Sequence, residues 1–202
     1  MKIIRIKENT SFQQPSINKM GNIRIISGQY RGRKLKVHDA EGLRPTTDRV
    51  KETLFNWLQF DIAGSRCLDL FSGSGSLSFE SLSRYAKFVT LVELNVQSAK
   101  LIRENLDLLK ISNAELVVGD ALKFVQRVNQ DEPYNIVFLD PPFRKGFLSQ
   151  ICSLLNKNAF LCNNALIYVE QEIENTAEMP SNWTLLKSKT AGQVSYSLYR
   201  NN

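Results

Sequence analysis

From Ser65 to Glu172, short apolar runs alternate with stretches whose apolar residues recur every three or four positions. The runs RCLDLF, FVTLVE, AELVVGD, YNIVFLD and ALIYVEQE are rich in β-branched and aromatic residues and read as buried strands. Between them, 76–84, 95–110, 121–129 and 146–156 carry helical patterns. Strands separated by helices predict an α/β fold with a parallel, doubly wound sheet and helices on both faces. The last segment, WTLLKSKTAGQVSYSLYR, alternates around Ala191-Gly192 and predicts a closing hairpin. That gives a mostly parallel sheet of seven strands with an antiparallel edge.

The N-terminal quarter follows another pattern. IRIISG (23–28) and RKLKVH (33–38), joined by QYRG, predict a small hairpin. RPTTDRVKETLFNWL (44–58) then predicts a helix: Val50, Leu54, Trp57 and Leu58 keep helical spacing behind the capping candidates Thr46, Thr47 and Asp48. Residues 1–21 are polar and without period, the pattern of a disordered tail. The expected organisation is this tail, a hairpin extension over 22–43, and one main domain over 44–202.

Charge sharpens the division. Residues 1–51 hold twelve of the 26 Lys and Arg and four of the 20 Asp and Glu, a local balance of +8 against −2 for the remainder. A positive face confined to one element suits a polyanion, nucleic acid above all; a solvated basic arm has the same composition. Three cysteines without a CxxC pair point to reduced thiols rather than a disulfide framework or a metal site. No run is long enough to span a bilayer, and MKIIRIKENT does not read as a signal peptide. The expected location is the cytoplasm, with no membrane and no metal involved, and nothing demands more than a monomer.

In a doubly wound sheet, ligands sit beyond the carboxyl ends of the strands. Here the first four strands end on acids: Asp69 with the loop LFSGSGS, Glu93, Asp120 and Asp140. Gly73-x-Gly75 alone is a weak signal, since a strand-to-helix turn needs glycine sterically. Asp69 changes its meaning, because a carboxylate beside such a turn repels a pyrophosphate and suits an ammonium group. Glu93 lies where a ribose diol can donate two hydrogen bonds, and Asp120 can accept from an adenine amine. A ligand with an ammonium, a ribose and an adenine but no phosphate is S-adenosylmethionine.

The fourth tip, Asp140-Pro141-Pro142-Phe143, ends its strand abruptly, because proline removes a donor and fixes φ. The Asp140 carboxylate and the Pro141 carbonyl can accept both hydrogens of an exocyclic amine and direct its lone pair out of the ring plane. Acceptors aimed at those hydrogens stabilise the cation that forms as nitrogen attacks a methyl group. Phe143 offers a stacking face for a base flipped from its helix, worth about 1–3 kcal/mol.

Taken in order, LDLFSGSG, VELN, GDA and DPPF resemble the class I methyltransferases that use S-adenosylmethionine on exocyclic or amide nitrogens. More narrowly, IRIISGQYRGRKL, LRPTTDRVKETLFNWL and LDLFSGSGSLSFESLSR resemble the RsmD family, which methylates N2 of a guanine in small-subunit (16S) ribosomal RNA. The likeness runs from about Asn22 to Arg200. It implies that Asp69, Phe71, Gly73 and Gly75 hold the methionine end of the cofactor, Glu93 its ribose, and Asp120 with Ala121 its adenine. It also implies that Asp140, Pro141, Pro142 and Phe143 grip the guanine. Arg31, Arg33 and Lys34 would meet RNA phosphates, with Arg44, Thr46 and Arg49 bordering the site; Thr46 and Asp48 serve equally well as helix caps. The implied partner is ribosomal RNA within an assembling small subunit. Departures are Ser72, Ser76 and Ser78, where the family often has Ala or Gly, and Tyr85, where glycine is common.

Three other readings compete. A DNA adenine-N6 methyltransferase shares an Asp-Pro-Pro-aromatic tip, but the chain has little room for a DNA-recognition domain. A non-catalytic RNA- or ribosome-binding assembly factor could keep the fold. A nicotinamide enzyme is the weakest, because of Asp69.

Overall fold

The computed structural model describes residues 20–38, 48–142, 146, 148–174 and 176–202. Two short antiparallel strands come first, β1 (Met20–Arg24) and β2 (Lys34–His38), forming their own two-stranded sheet. Helix α1 (Asp48–Trp57) leads into β3 (Arg66–Asp69), α2 (Ser76–Ser83), β4 (Phe88–Glu93), α3 (Val96–Leu108) and β5 (Ala114–Val118). Helix α4 (Ala121–Gln126) crosses back to β6 (Tyr134–Leu139), and α5 (Leu148–Lys157) precedes β7 (Leu161–Glu172), β8 (Trp183–Ala191) and β9 (Val194–Asn201).

The main sheet has seven strands in the order β5-β4-β3-β6-β7-β9-β8. Strands β3 to β7 run parallel, while β9 is antiparallel to both β7 and β8. This is the α/β architecture expected from the alternation. The central strands β3, β4 and β6 and the second half of β7 are buried on both faces, as continuous apolar runs require, while β5 and β8 at the edges are partly or largely exposed. One face packs Leu54, Phe55, Leu77, Phe79, Ile102 and Leu106 from α1, α2 and α3 against Phe138 and Tyr168, and the hairpin residues Ile25 and Leu35 join the same core. The other packs Phe124, Ile151 and Leu155 from α4 and α5 against Val137, Leu139 and Val169. Among the described residues, no helix is long and apolar enough to cross a membrane, and the three cysteines are free.

Element boundaries differ from the sequence reading in informative places. The first strand spans Met20–Arg24, not 23–28, so Met20 and Gly21 pair with His38 and Val37 rather than belonging to the tail. Ile26 and Ser27 leave the ladder because their N–H groups donate to Glu80 on α2. Helix α4 stops at Gln126, and β7 begins four residues early, at Leu161, with a register irregularity opposite Tyr134–Ile136. Tyr85 takes φ 67°, a left-handed conformation that glycine adopts without steric cost. Residues 44–47, where Arg44 and Thr46 fall, lie outside the described residues, as does Phe143.

Candidate functional site

Register aligns the strand ends. Glu93 pairs with Val118, while Asp69 lies level with Leu91 on one side and Phe138 on the other. The carboxyl ends of β5, β4, β3 and β6 therefore form one contiguous rim; Asp120 lies two residues beyond β5 and Asp140 one residue beyond β6.

The rim's centre is the turn after β3. Gly75 N–H donates to the Ser72 carbonyl at 2.6 Å, and the Ser72 hydroxyl donates to the Asp69 carbonyl at 3.0 Å. Gly75 holds φ 76°, and a Cβ there would sit 2.8 Å from the Phe79 ring, so the turn and the start of α2 demand glycine twice over. Gly73 N–H donates to Glu93 Oε2 at 2.6 Å, and Asn95 N–H donates to Oε1 at 2.7 Å. Glu93 thus ties the glycine turn to β4. Burial raises its pKa, against the lowering effect of these N–H groups.

Asp69 is buried, and the Ser78 hydroxyl donates to its Oδ2 at 2.6 Å. Burial pushes this carboxyl from its ordinary 3.8 up to about 7; the Ser78 hydroxyl and the Phe71 N–H oppose the rise, and the charge of Glu93 adds to it. Ser78, one of the noted departures, is therefore a partner of Asp69. Asp120 caps α4, accepting from Lys123 N–H at 2.9 Å. Leu94 and Val118 expose 63% and 50% of their surface beside Glu93, leaving an apolar ledge at this end of the rim.

Asp140 is half-buried, one residue beyond β6, with Pro141 half-buried and Pro142 exposed behind it. The next strand brings residues that the sequence reading missed. Leu139 pairs with Val169, so Glu170 follows at the level of Asp140. The Tyr168 hydroxyl donates to Glu170 Oε1 at 2.7 Å, and both side chains are buried. Burial lifts the Tyr168 phenol well above its ordinary value; the charges of Glu170 and Asp140 raise it further. Burial likewise raises Glu170, against the Tyr168 hydroxyl. An acid inside the apolar run LIYVEQE was the available signal.

The hairpin is docked rather than loose. Glu80, fully buried, accepts from Ile26 N–H at 2.8 Å, Ser27 N–H at 3.1 Å and Arg84 Nε at 2.7 Å. Gly28 lies so close to α2 that a Cβ would fall 1.8 Å from the Ser83 carbonyl oxygen. Arg31, Arg33 and Lys34 are all exposed on this hairpin, and Arg49 is exposed on α1. Lys51 was also missed. It lies on the same helical stripe as Leu54, Phe55 and Leu58, and a charge on an apolar stripe was the clue.

Comparison with known proteins shows the family of the chain. Residues 23–200 match the family described as "Conserved hypothetical protein 95". Ribosomal RNA small subunit methyltransferase D of Haemophilus influenzae is 53% identical over 186 residues, covering 91% of this chain and 96% of that protein. The Escherichia coli K12 protein of the same name is 50% identical over 189 residues, covering 93% and 94%. The solved structure of yhhF from Escherichia coli, a protein assigned as a methyltransferase, superposes with a TM-score of 0.83 at 51% identity, covering 90% of this chain and 99% of that one. The chain belongs to the RsmD family, that of ribosomal RNA small subunit methyltransferase D.

Proposed function

We propose that this protein transfers a methyl group from S-adenosylmethionine to the exocyclic N2 of a guanine in small-subunit (16S) ribosomal RNA, acting in the cytoplasm as a monomer on an assembling small subunit. The observation that carries this reading is the rim: Asp69, Glu93, Asp120 and Asp140 end or follow four adjacent parallel strands around one glycine turn. The residues fit the cofactor. The acids disfavour a pyrophosphate and suit an ammonium, a diol and an amine, and the exposed Leu94 and Val118 give an adenine ring an apolar seat. Glu93 would hold the ribose, Asp120 with the Ala121 backbone the adenine, and the turn from Asp69 through Phe71 to Gly75 the methionine end. S-adenosylmethionine supplies a sulfonium methyl group open to in-line attack.

The chain's own work is orientation. Asp140 and the Pro141 carbonyl accept the two amine hydrogens, aim the nitrogen lone pair, and stabilise the charge that develops on nitrogen. Holding the two reactants in line supplies about 7–11 kcal/mol of the barrier reduction. Pro142 and Phe143 would grip the guanine ring. Deletion of the gene tests the assignment in cells: one small-subunit guanine loses its N2 methyl group in mass spectrometry of the RNA, and an unchanged pattern refutes it.

Arg31, Arg33 and Lys34 give the hairpin a phosphate-binding edge, and Arg44, Thr46 and Arg49 would also serve the RNA. Reversing Arg31 and Arg33 to glutamate weakens RNA binding at low salt. It also flattens the log–log salt dependence by roughly 1.4–1.8, the loss of two phosphate contacts. Filter binding across a salt series measures both, and an unchanged slope removes the hairpin from the interface.

The elevated pKa of Asp69 gives a pH signature. The folded chain holds this proton up to about 7, whereas an unfolded chain loses it near 3.8. The group's contribution to stability is therefore full below 3.8 and is lost as pH rises through about 7. A ligand ammonium favours the ionised carboxylate, so cofactor affinity rises with pH up to about 7 and levels off above it. Calorimetry at pH 6 in buffers of different ionisation enthalpy will show proton release on binding; heats independent of buffer contradict the Asp69 assignment.

A further inference from the structure

Lys51 joins three elements that the proposed reaction needs together. Its Nζ donates to the Arg24 carbonyl at the end of β1 (2.8 Å) and to the Ser76 hydroxyl at the first residue of α2 (3.2 Å). Asp48 Oδ1 lies 3.5 Å away, at the start of α1. The lysine is 2% exposed. An ammonium nitrogen has three donors and no acceptor, and here its partners come from the hairpin, the helix after the glycine turn, and α1. Lysine is almost never this buried without paired groups, and an apolar side chain of similar volume fills such a position at lower desolvation cost. Packing alone does not account for a lysine here.

The rest of the contact makes the connection mechanical. The body of α2 carries the hairpin through Glu80 and through Ser83, which accepts from Gln29 N–H at 2.8 Å and Tyr30 N–H at 3.0 Å. The first turn of α2 carries Ser76, directly after Gly75. Arg24 pairs with Lys34 in the hairpin ladder, so the Lys51 ammonium links the basic strand of the hairpin to the first turn of α2.

We propose that Lys51 is a positioning residue that couples RNA on the hairpin to the cofactor in the glycine turn. This rests on the assignment of the hairpin to RNA and of the turn to S-adenosylmethionine. Coupling between two ligands is reciprocal, so it can be read from either side.

The test measures the affinity of S-adenosylhomocysteine, the unreactive product, with and without saturating small-subunit RNA, and again with small subunits from cells lacking the enzyme. In the wild type, RNA or subunits tighten the product analogue about fivefold or more. Lys51→Met brings that ratio to within about twofold of one. Ser76→Ala, which removes a single hydroxyl and spares the fold should Lys51→Met not be stable, lowers it in the same direction. A wild type without coupling, or variants that keep the full ratio, overturn the proposal. RNA affinity without the product analogue, and its loss on reversing Arg31 and Arg33, report on the underlying assignment separately. A wild type that binds RNA with no coupling refutes Lys51 alone, whereas one that binds neither ligand refutes both.

Discussion

Replacing Asp140 with alanine lowers turnover by about 10²–10³-fold, the size of effect seen when one preorganised partner of a developing charge is removed. Affinity for S-adenosylmethionine stays within about twofold of wild type. The separation follows from topology: Asp140 follows β6, whereas the cofactor's proposed partners end β3, β4 and β5. Asp140→Asn keeps one acceptor oxygen and loses the charge, so its turnover falls between the two. Single-turnover rates with labelled cofactor, measured beside calorimetric affinities, make the comparison. A variant that loses cofactor binding in parallel with rate would move Asp140 into the cofactor cradle.

Glu80→Ala is the largest expected stability effect. Its carboxylate is fully buried and accepts from Ile26 N–H, Ser27 N–H and Arg84 Nε. Removing one partner of a buried ion pair leaves the other uncompensated, at a cost of about 3–5 kcal/mol. Arg84 keeps the face of the Phe55 ring, 4.9 Å from its centroid, as a partial substitute. Two backbone donors lose their acceptor as well, so the hairpin should undock before the sheet unfolds. Denaturation monitored globally, together with hydrogen exchange at Ile26 and Ser27, measures both effects. Wild-type protection at those two amides in Glu80→Ala would show that docking of the hairpin does not depend on Glu80.

Both predictions draw on features of unequal visibility in the sequence. The strand tips were legible because two local signals coincide there: an apolar run ends, and an acid follows. Asp69, Glu93, Asp120 and Asp140 end or follow four adjacent strands of the sheet. What the tips do to one another was not legible. Nothing in LDLFSGSGSLS says that Ser78 turns back onto Asp69, or that Glu93 closes on the N–H of Gly73, because both bonds depend on how the turn packs. The hairpin shows the same limit. IRIISG has strand character throughout, yet Ile26 and Ser27 pair with Glu80, 53 or 54 residues away, and tertiary context overrides propensity. Residues 77–83 of α2 are all buried, so Glu80 had no apolar stripe to interrupt. Lys51 did interrupt one, and so did Glu170 in its strand; each buried charge marked a place where chain elements converge.

The most direct measurement of the central claim is methyl transfer by the purified protein. Small subunits and naked small-subunit RNA from cells lacking the enzyme are incubated with methyl-labelled S-adenosylmethionine, and the digested nucleosides are separated. The expected product is N2-methylguanosine, at one position and about one equivalent per subunit. Label in N6-methyladenosine, or no label in RNA from an active-folded protein that binds the cofactor, contradicts it.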